Sequence, residues 1–235
     1  TSMKENISMQ KNIEETIPLK FVAMDSRWPN RLLPFVNMKI DSYEESFLLD
    51  TGALGSMVVG PKFSGVFEEI GSSKATSASG KVKKCLKIRP TKLLLGKTQI
   101  DKPKMRWCEK RDLNILALDV LSRRPFQIDL KNKKLNFIGK LQGDLPTYQI
   151  KKVSKGHLTI PFLIGGKPSF TLFDTGADIT VIDEDYIKSH PDAFKFVRVE
   201  ENEDGNGVIE PSKLYECNSI KAVSYTHLTL PTMDS

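Results

Sequence analysis

The sequence predicts an all-β protein with little helix, arranged as two tandem lobes, and three observations predict it. Between its ends the chain consists of short apolar or alternating segments bounded by Gly, Pro, Asn and Ser, as at 46–49, 86–88, 93–95, 127–130 and 169–173. The stretch Phe126–Phe137 reads as two strands around a polar turn at Lys131 to Lys133. The tetrapeptide Asp-Thr-Gly-Ala occurs twice, at Asp50–Ala53 and at Asp174–Ala177. Each copy follows an apolar stretch, and a hydroxyl residue stands six positions after each Asp, Ser56 and Thr180.

In chain order, residues 1–16 are polar and rich in Lys, Glu and Asn, and read as a flexible arm. Residues 17–140 form the first lobe. Helix is expected only at turns, at Pro61 to Ile70, Leu118 to Arg123 and Glu184 to Ser189. A linker follows over 141–156, polar and basic around Lys151 to Lys155. The second lobe spans 157–222 and is C-terminally incomplete when the repeat is continued. Residues 223–235 match nothing in the first lobe and read as an adapter-derived tail outside the fold.

The repeat extends beyond the tetrapeptides. Leu33–Val36 matches Ile160–Leu163, so a Pro-Phe step lies sixteen residues before Asp50 and thirteen before Asp174, a difference assigned to a hairpin loop of variable length. Lys81–Ile88 matches Lys213–Ile220, with eight extra residues in the second copy that the Asp204–Gly207 loop helps to supply. That match puts Cys85 and Cys217 at equivalent places. With Cys108 they make three widely spaced cysteines without a CxxC pair, read as small buried residues and not as a zinc site or a disulfide framework.

Composition, at 39% apolar and 27% charged over 235 residues, suits a globular chain with one or two cores, and no apolar run reaches membrane-spanning length. The formal charge of +6 comes from scattered lysines without interleaved aromatics, which reads as solvated faces and not as a nucleic-acid footprint. Compartment is left open. Export to a periplasm or the exterior is the preferred side, its signal being absent from this chain.

The paired Asp residues carry the chemistry. A carboxylate in a tight Gly-containing turn lies near backbone N–H groups. Two such turns meeting across a pseudo-twofold axis would place two carboxylates so close that they share one proton. The ionised one can then act as base on a water and the protonated one as acid toward a carbonyl oxygen. Taken singly, either Asp could instead be a turn former bonding its own backbone. Asp119 and Asp183 read as helix-start caps. His157 and His190 accompany no nucleophile signature, and Trp28 and Trp107 read as core or lobe-edge aromatics.

Apolar-apolar-Asp-Thr-Gly-Ala followed by a hydroxyl residue resembles the active-site loop of retropepsin-like aspartic proteases, and Asp174–Thr180 is the nearer match. Ile115–Leu121 looks like the family's later apolar-apolar-Gly-x-Asp-x-Leu segment, with Ala117 in place of Gly. The resemblance covers most of 17–140 and the front half of a second copy to 222. It implies acid-protease β-barrel lobes in a tandem single-chain form. Asp50 and Asp174 would be the catalytic dyad, Thr51 and Thr175 an interlocking pair, and Gly52, Ala53, Gly176 and Ala177 loop support. Glycine-bearing flaps would lie near Ser77 to Lys81 and Asp204 to Val208, with Gly80, Gly205, Gly207 and Asp178 on the substrate. Leu54 stands where the second copy has Asp178, so the two sides of the cleft should differ.

The function implied is an aspartic endopeptidase acting on an extended peptide or protein substrate. No metal or cofactor is expected, with water the co-reactant. A monomer with lobes paired inside one chain is favoured over a homodimer. The alternative is a catalytically incompetent peptide-binding or oligomerisation module on the same fold.

Overall fold

A computed structural model describes residues 13–76, 80–110, 113–139, 151–152, 157–203 and 209–222, and strands dominate them. The N-terminal part is organised around the hairpin Leu32–Ile40 and Tyr43–Leu49. Its two-residue turn puts Asp41 at φ 50, a left-handed conformation that Asp tolerates better than most residues. The Asp41 carboxylate accepts the Lys92 N–H at 2.7 Å and so fastens the turn to the next strand. From this hairpin a ten-stranded sheet runs outward. On one side lie Lys92–Leu95 and Thr98–Asp101. On the other come Ile115–Leu116, Met57–Val59, Met105–Cys108, Val82–Arg89 and Glu68–Thr76, while Lys20–Ala23 also joins Leu32–Ile40.

Alternation decides what this sheet buries. Val36, Met38 and Ile40 point one way along their strand and join Phe47, Leu49, Leu93, Leu95, Leu116 and Leu121 in a single core. The hairpin Phe126–Asp129 and Lys134–Ile138 adds Leu135 and Phe137 to it, and its turn falls at 130–133 as the sequence predicts. The short helix Leu118–Leu121 and the helix Glu184–Ser189 also stand where expected. Asp183 caps the latter, its carboxylate accepting from the Asp185 and Tyr186 N–H groups.

Several expectations need correction. The arm ends sooner than residue 16, because Ile13–Pro18 is a strand paired with Lys134–Ile138. Its polar residues alternate with purpose: Ile17 enters the core, and the Glu15 carboxylate accepts the Lys97 N–H and pairs with Arg124. Between Pro61 and Ile70 only Pro61–Phe63 is helical, a 3-10 turn, and Glu68–Thr76 is already strand. The Pro-Phe steps are not in register either. Both hairpins turn on two residues, Ile40 pairing with Tyr43 and Ile164 with Lys167, and each second strand begins seven residues before its Asp. Pro161 therefore matches Asn37, and the extra length lies in the first strand.

Cys85 and Cys217 are not equivalent: Cys85 lies opposite Ser73 in mid-hairpin, whereas Cys217 closes its hairpin opposite Phe194. Cys85 forms a buried disulfide with Cys108, a pairing the separation of 23 residues did not suggest, and Cys217 is free.

In the C-terminal part, Leu158–Ile164 and Lys167–Leu172 turn through Gly165 and Gly166, both at positive φ as a tight hairpin requires. Ile220–Ala222 pairs with Leu158–Ile164, as does Lys151–Lys152 from within the stretch read as a linker. Phe194–Glu203 and Ile209–Cys217 make a two-stranded sheet of their own. Ile160, Ile164 and Ala193 are the buried apolar side chains among the described residues here, while Val181, Val199 and Ile209 are exposed. Among the described residues no helix is long and apolar enough to cross a membrane.

Candidate active site

Two strands deliver the two Asp residues. Tyr43–Leu49 ends at Asp50 and Lys167–Leu172 runs toward Asp174, each followed by a turn that folds back on its own carboxylate. The Ala53 N–H donates to Asp50 Oδ1 at 2.8 Å, and the Gly176 N–H to Asp174 Oδ1 at 2.8 Å. These local bonds are what a lone turn-forming Asp would also make.

What a lone turn would not make is the contact between the loops. Thr51 Oγ1 accepts the Thr175 N–H at 3.1 Å and donates to the Phe173 carbonyl at 2.7 Å. Thr175 Oγ1 does the reverse, accepting the Thr51 N–H at 3.1 Å and donating to the Leu49 carbonyl at 2.6 Å. Each hydroxyl acts as donor and acceptor at once, which Ser or Thr can do and an apolar residue of the same shape cannot. The four bonds exchange under a swap of 51 with 175, so the loops meet by local twofold symmetry inside one chain.

The glycines allow this approach. A Cβ on Gly176 would lie 2.5 Å from Asp50 Cγ, and one on Gly52 would lie 2.6 Å from Asp174 Oδ1. Each loop thus lays its glycine backbone against the other loop's carboxylate. The need is for space and not for an unusual backbone angle, since neither glycine has positive φ.

Burial and the neighbouring carboxylate act together on Asp50. Desolvation is the larger cause and the charge of Asp174 the next, and Asp50 is pushed up to about 7 against the opposing pull of the Ala53 N–H. A carboxyl in that range holds a proton at mildly acidic pH.

The Asp50 loop has a second layer of support. The Asp50 N–H donates to the Leu116 carbonyl at 3.0 Å and the Leu118 N–H to the Ala53 carbonyl at 3.3 Å, so Ile115–Leu118 runs directly beneath it. Ala117, which replaces the expected Gly, is fully buried at φ −108, an extended conformation open to any residue, and it leaves these bonds in place. Asp119 is not the helix cap, a position Ala117 fills. Its carboxylate instead accepts the Ser56 hydroxyl at 2.6 Å and the Ser56 N–H at 3.0 Å, while Ser56 Oγ accepts the Ala117 N–H at 3.0 Å. Burial raises the Asp119 carboxyl and the two Ser56 donors oppose it. The hydroxyl six residues after Asp50 is therefore a hinge pin between loop and helix. Asn114 helps similarly, accepting the Val59 N–H and donating to the Ser46 carbonyl. Ser56 belongs to the repeated motif and Asp119 to the later segment, whereas no motif marked Asn114.

The remaining expected residues are less engaged. Ala53 packs partly buried against the Cys85–Cys108 cluster, whereas Ala177 and Asp178 are exposed and Leu54 is half-buried. Gly80 is exposed at φ 79, between the strands Glu68–Thr76 and Val82–Arg89. Gly205 and Gly207 lie outside the described residues, as do residues 77–79 and 204–208 of the expected flaps and the tail 223–235. Trp107 packs against the core and donates to the Gly60 carbonyl, and the Trp28 ring lies near the guanidinium groups of Arg31 and Arg198. His190 stacks on Tyr186. Among the described residues no cluster of His, Cys, Asp and Glu could hold a metal ion.

A solved retropepsin-like aspartic protease from Rickettsia conorii is similar in structure, with a TM-score of 0.37 and 16% identity over 52% of this chain and 99% of that one. No family model and no curated protein matches the chain.

Proposed function

We propose that this chain is an aspartic-type endopeptidase of the retropepsin-like kind, with two duplicated units pairing internally and Asp50 and Asp174 as its dyad. The observation that carries the reading is the reciprocal loop contact, in which each glycine abuts the other loop's carboxylate and Thr51 and Thr175 exchange hydrogen bonds. Two carboxylates so placed hold one proton between them at mildly acidic pH. A water bound to both would lose a proton to the ionised partner as its oxygen attacks the peptide carbonyl carbon. The protonated partner would give its proton to the carbonyl oxygen. Return of a proton to the amide nitrogen then lets the C–N bond break. An extended peptide would lie between the loops and the two long hairpins, with Gly80, Gly205, Gly207 and Asp178 as its backbone contacts.

Incubation of an unstructured peptide library with the protein, with Asp50→Asn and with Asp174→Asn tests this by mass spectrometry. Cleavage by the parent alone is expected, and turnover retained in either variant would refute the dyad.

A second reading, a peptide-binding or oligomerisation module without catalysis, is favoured by one observation. Val181 is 78% exposed, whereas Met57, seven residues after its own Asp as Val181 is, is 3% exposed beside Ile115. The Asp174 loop has no such cover among the described residues. Under this reading the parent protein binds extended peptides and cleaves none from acid to neutral pH.

A further inference from the structure

The two long hairpins are held in different ways. Glu68–Thr76 and Val82–Arg89 continue the large sheet by pairing with Met105–Cys108, and the Cys85–Cys108 disulfide ties them there. Phe194–Glu203 and Ile209–Cys217 pair with each other alone among the described strands, and Phe196 and Val199 on them are more than half exposed. A two-stranded hairpin with so little apolar cover is marginal on its own. Its placement needs an outside hold.

The hairpin is tied to the preceding helix by the Lys213–Glu184 pair and the Tyr186–Phe194 contact, and a further hold comes from the other end of the chain. The loop after Lys20–Ala23 brings Arg31 onto this hairpin, where its guanidinium donates to the Glu200 carboxylate and, at 3.0 Å, to Asn202 Oδ1. Glu200 also accepts from Arg198 at 3.0 Å. The Trp28 ring has the Arg31 guanidinium 4.3 Å from its centroid and that of Arg198 at 5.6 Å. Arg27 approaches Glu201 at 3.8 Å, an exposed pair that adds little. The Glu200 side chain is 5% exposed, and the guanidinium groups of Arg31 and Arg198 satisfy its carboxylate.

We infer that Trp28 and Arg31 are positioning residues that clasp the second hairpin from the N-terminal loop, so that opening of this hairpin, unlike that of the first, is set by side-chain contacts and not by sheet pairing. The kinetic consequence rests on the peptidase reading, but the clasp itself does not. Arg31 and Glu200 touch neither carboxylate of the dyad, so loosening them acts on the hairpin and leaves the reacting groups in place.

Hydrogen–deuterium exchange and peptide kinetics on Arg31→Ala, Arg31→Lys and Glu200→Gln decide it. In Arg31→Ala and Glu200→Gln, amides of 194–203 and 209–217 should exchange roughly ten- to a hundredfold faster, the population change that loss of a charge-assisted hydrogen bond gives. Amides of the first hairpin should not change. KM should rise only in proportion to the fraction of molecules whose hairpin is released, with kcat within about twofold. Arg31→Lys, which keeps the charge but not the planar fork, should fall between. Unchanged exchange in the second hairpin, or an equal rise along the whole chain, would overturn the clasp. A parent protein that cleaves no peptide would instead refute the peptidase reading, and the exchange pattern would still decide the clasp.

Discussion

Replacing Asp50 with Asn should make the protein more stable at neutral pH, and by an amount that depends on pH in a defined way. Asn keeps the size of the side chain and an oxygen for the Ala53 N–H that Asp50 accepts at 2.8 Å. It cannot ionise. Burial and Asp174 push the Asp50 carboxyl from an ordinary 3.8 to about 7. The folded chain therefore keeps a proton that the unfolded chain has lost between those values, so this group's contribution to stability falls as pH rises from about 4 to about 7. Above both values the accumulated cost is about 4 kcal/mol. Asp50→Asn removes it, so the variant should exceed the parent by about 4 kcal/mol at pH 8, which corresponds to roughly 2–4 °C in Tm per kcal/mol. Near pH 4 the two should converge. Urea unfolding of both proteins at half-unit steps from pH 4 to 8 measures the gap. A gap that does not change with pH, or a variant less stable than its parent at pH 8, would refute the reasoning.

Other perturbations have equally definite outcomes. Thr51→Val orphans the Thr175 N–H and the Phe173 carbonyl and should cost about 2–6 kcal/mol in chemical denaturation, at 1–3 kcal/mol for each buried group; Thr51→Ser, which keeps the hydroxyl, should stay close to the parent in stability, and a cost near zero in Thr51→Val would mean that the loops do not interlock. Gly52→Ala puts a methyl group onto the Asp174 carboxylate and should abolish peptide turnover while leaving the large sheet intact by circular dichroism; full turnover would mean the loops lie further apart. Reduction of Cys85–Cys108, which closes a 23-residue separation, should lower stability by about 3 kcal/mol, read from urea curves with and without dithiothreitol, and superposable curves would show that the crosslink does not restrain the unfolded chain.

Much of this was legible because the relevant signals are local. The polar turn after Phe126–Asp129, the cap at Asp183 and the apolar runs before the two Asp residues each carry their structure within a few positions. The meeting of Asp50 with Asp174 was legible for a different reason, since a tetrapeptide repeated after equivalent strands implies equivalent loops. What escaped depends on long-range pairing. Cys85 and Cys108 come together only because Trp107 lies opposite Leu86 in neighbouring strands. Asp119 looked like a cap, and its role as the acceptor for Ser56 depends on a contact across 63 residues. The strand character of Ile13–Thr16 was hidden by polar composition, because its order comes from Asn136, Lys97 and Arg124. The Pro-Phe match misled because chemical similarity says nothing about register, and the hairpin turns fix register instead.

The central claim is that the two carboxylates behave as one unit. A 13C NMR titration of the Asp side-chain carboxyls in the parent and in Asp174→Asn tests it most directly. Asp50 should titrate near 7 in the parent. It should fall in the variant by the part that Asp174 contributes, remaining above the ordinary range because burial persists. An Asp50 carboxyl that titrates near 4 and is unmoved by Asp174→Asn would contradict the account.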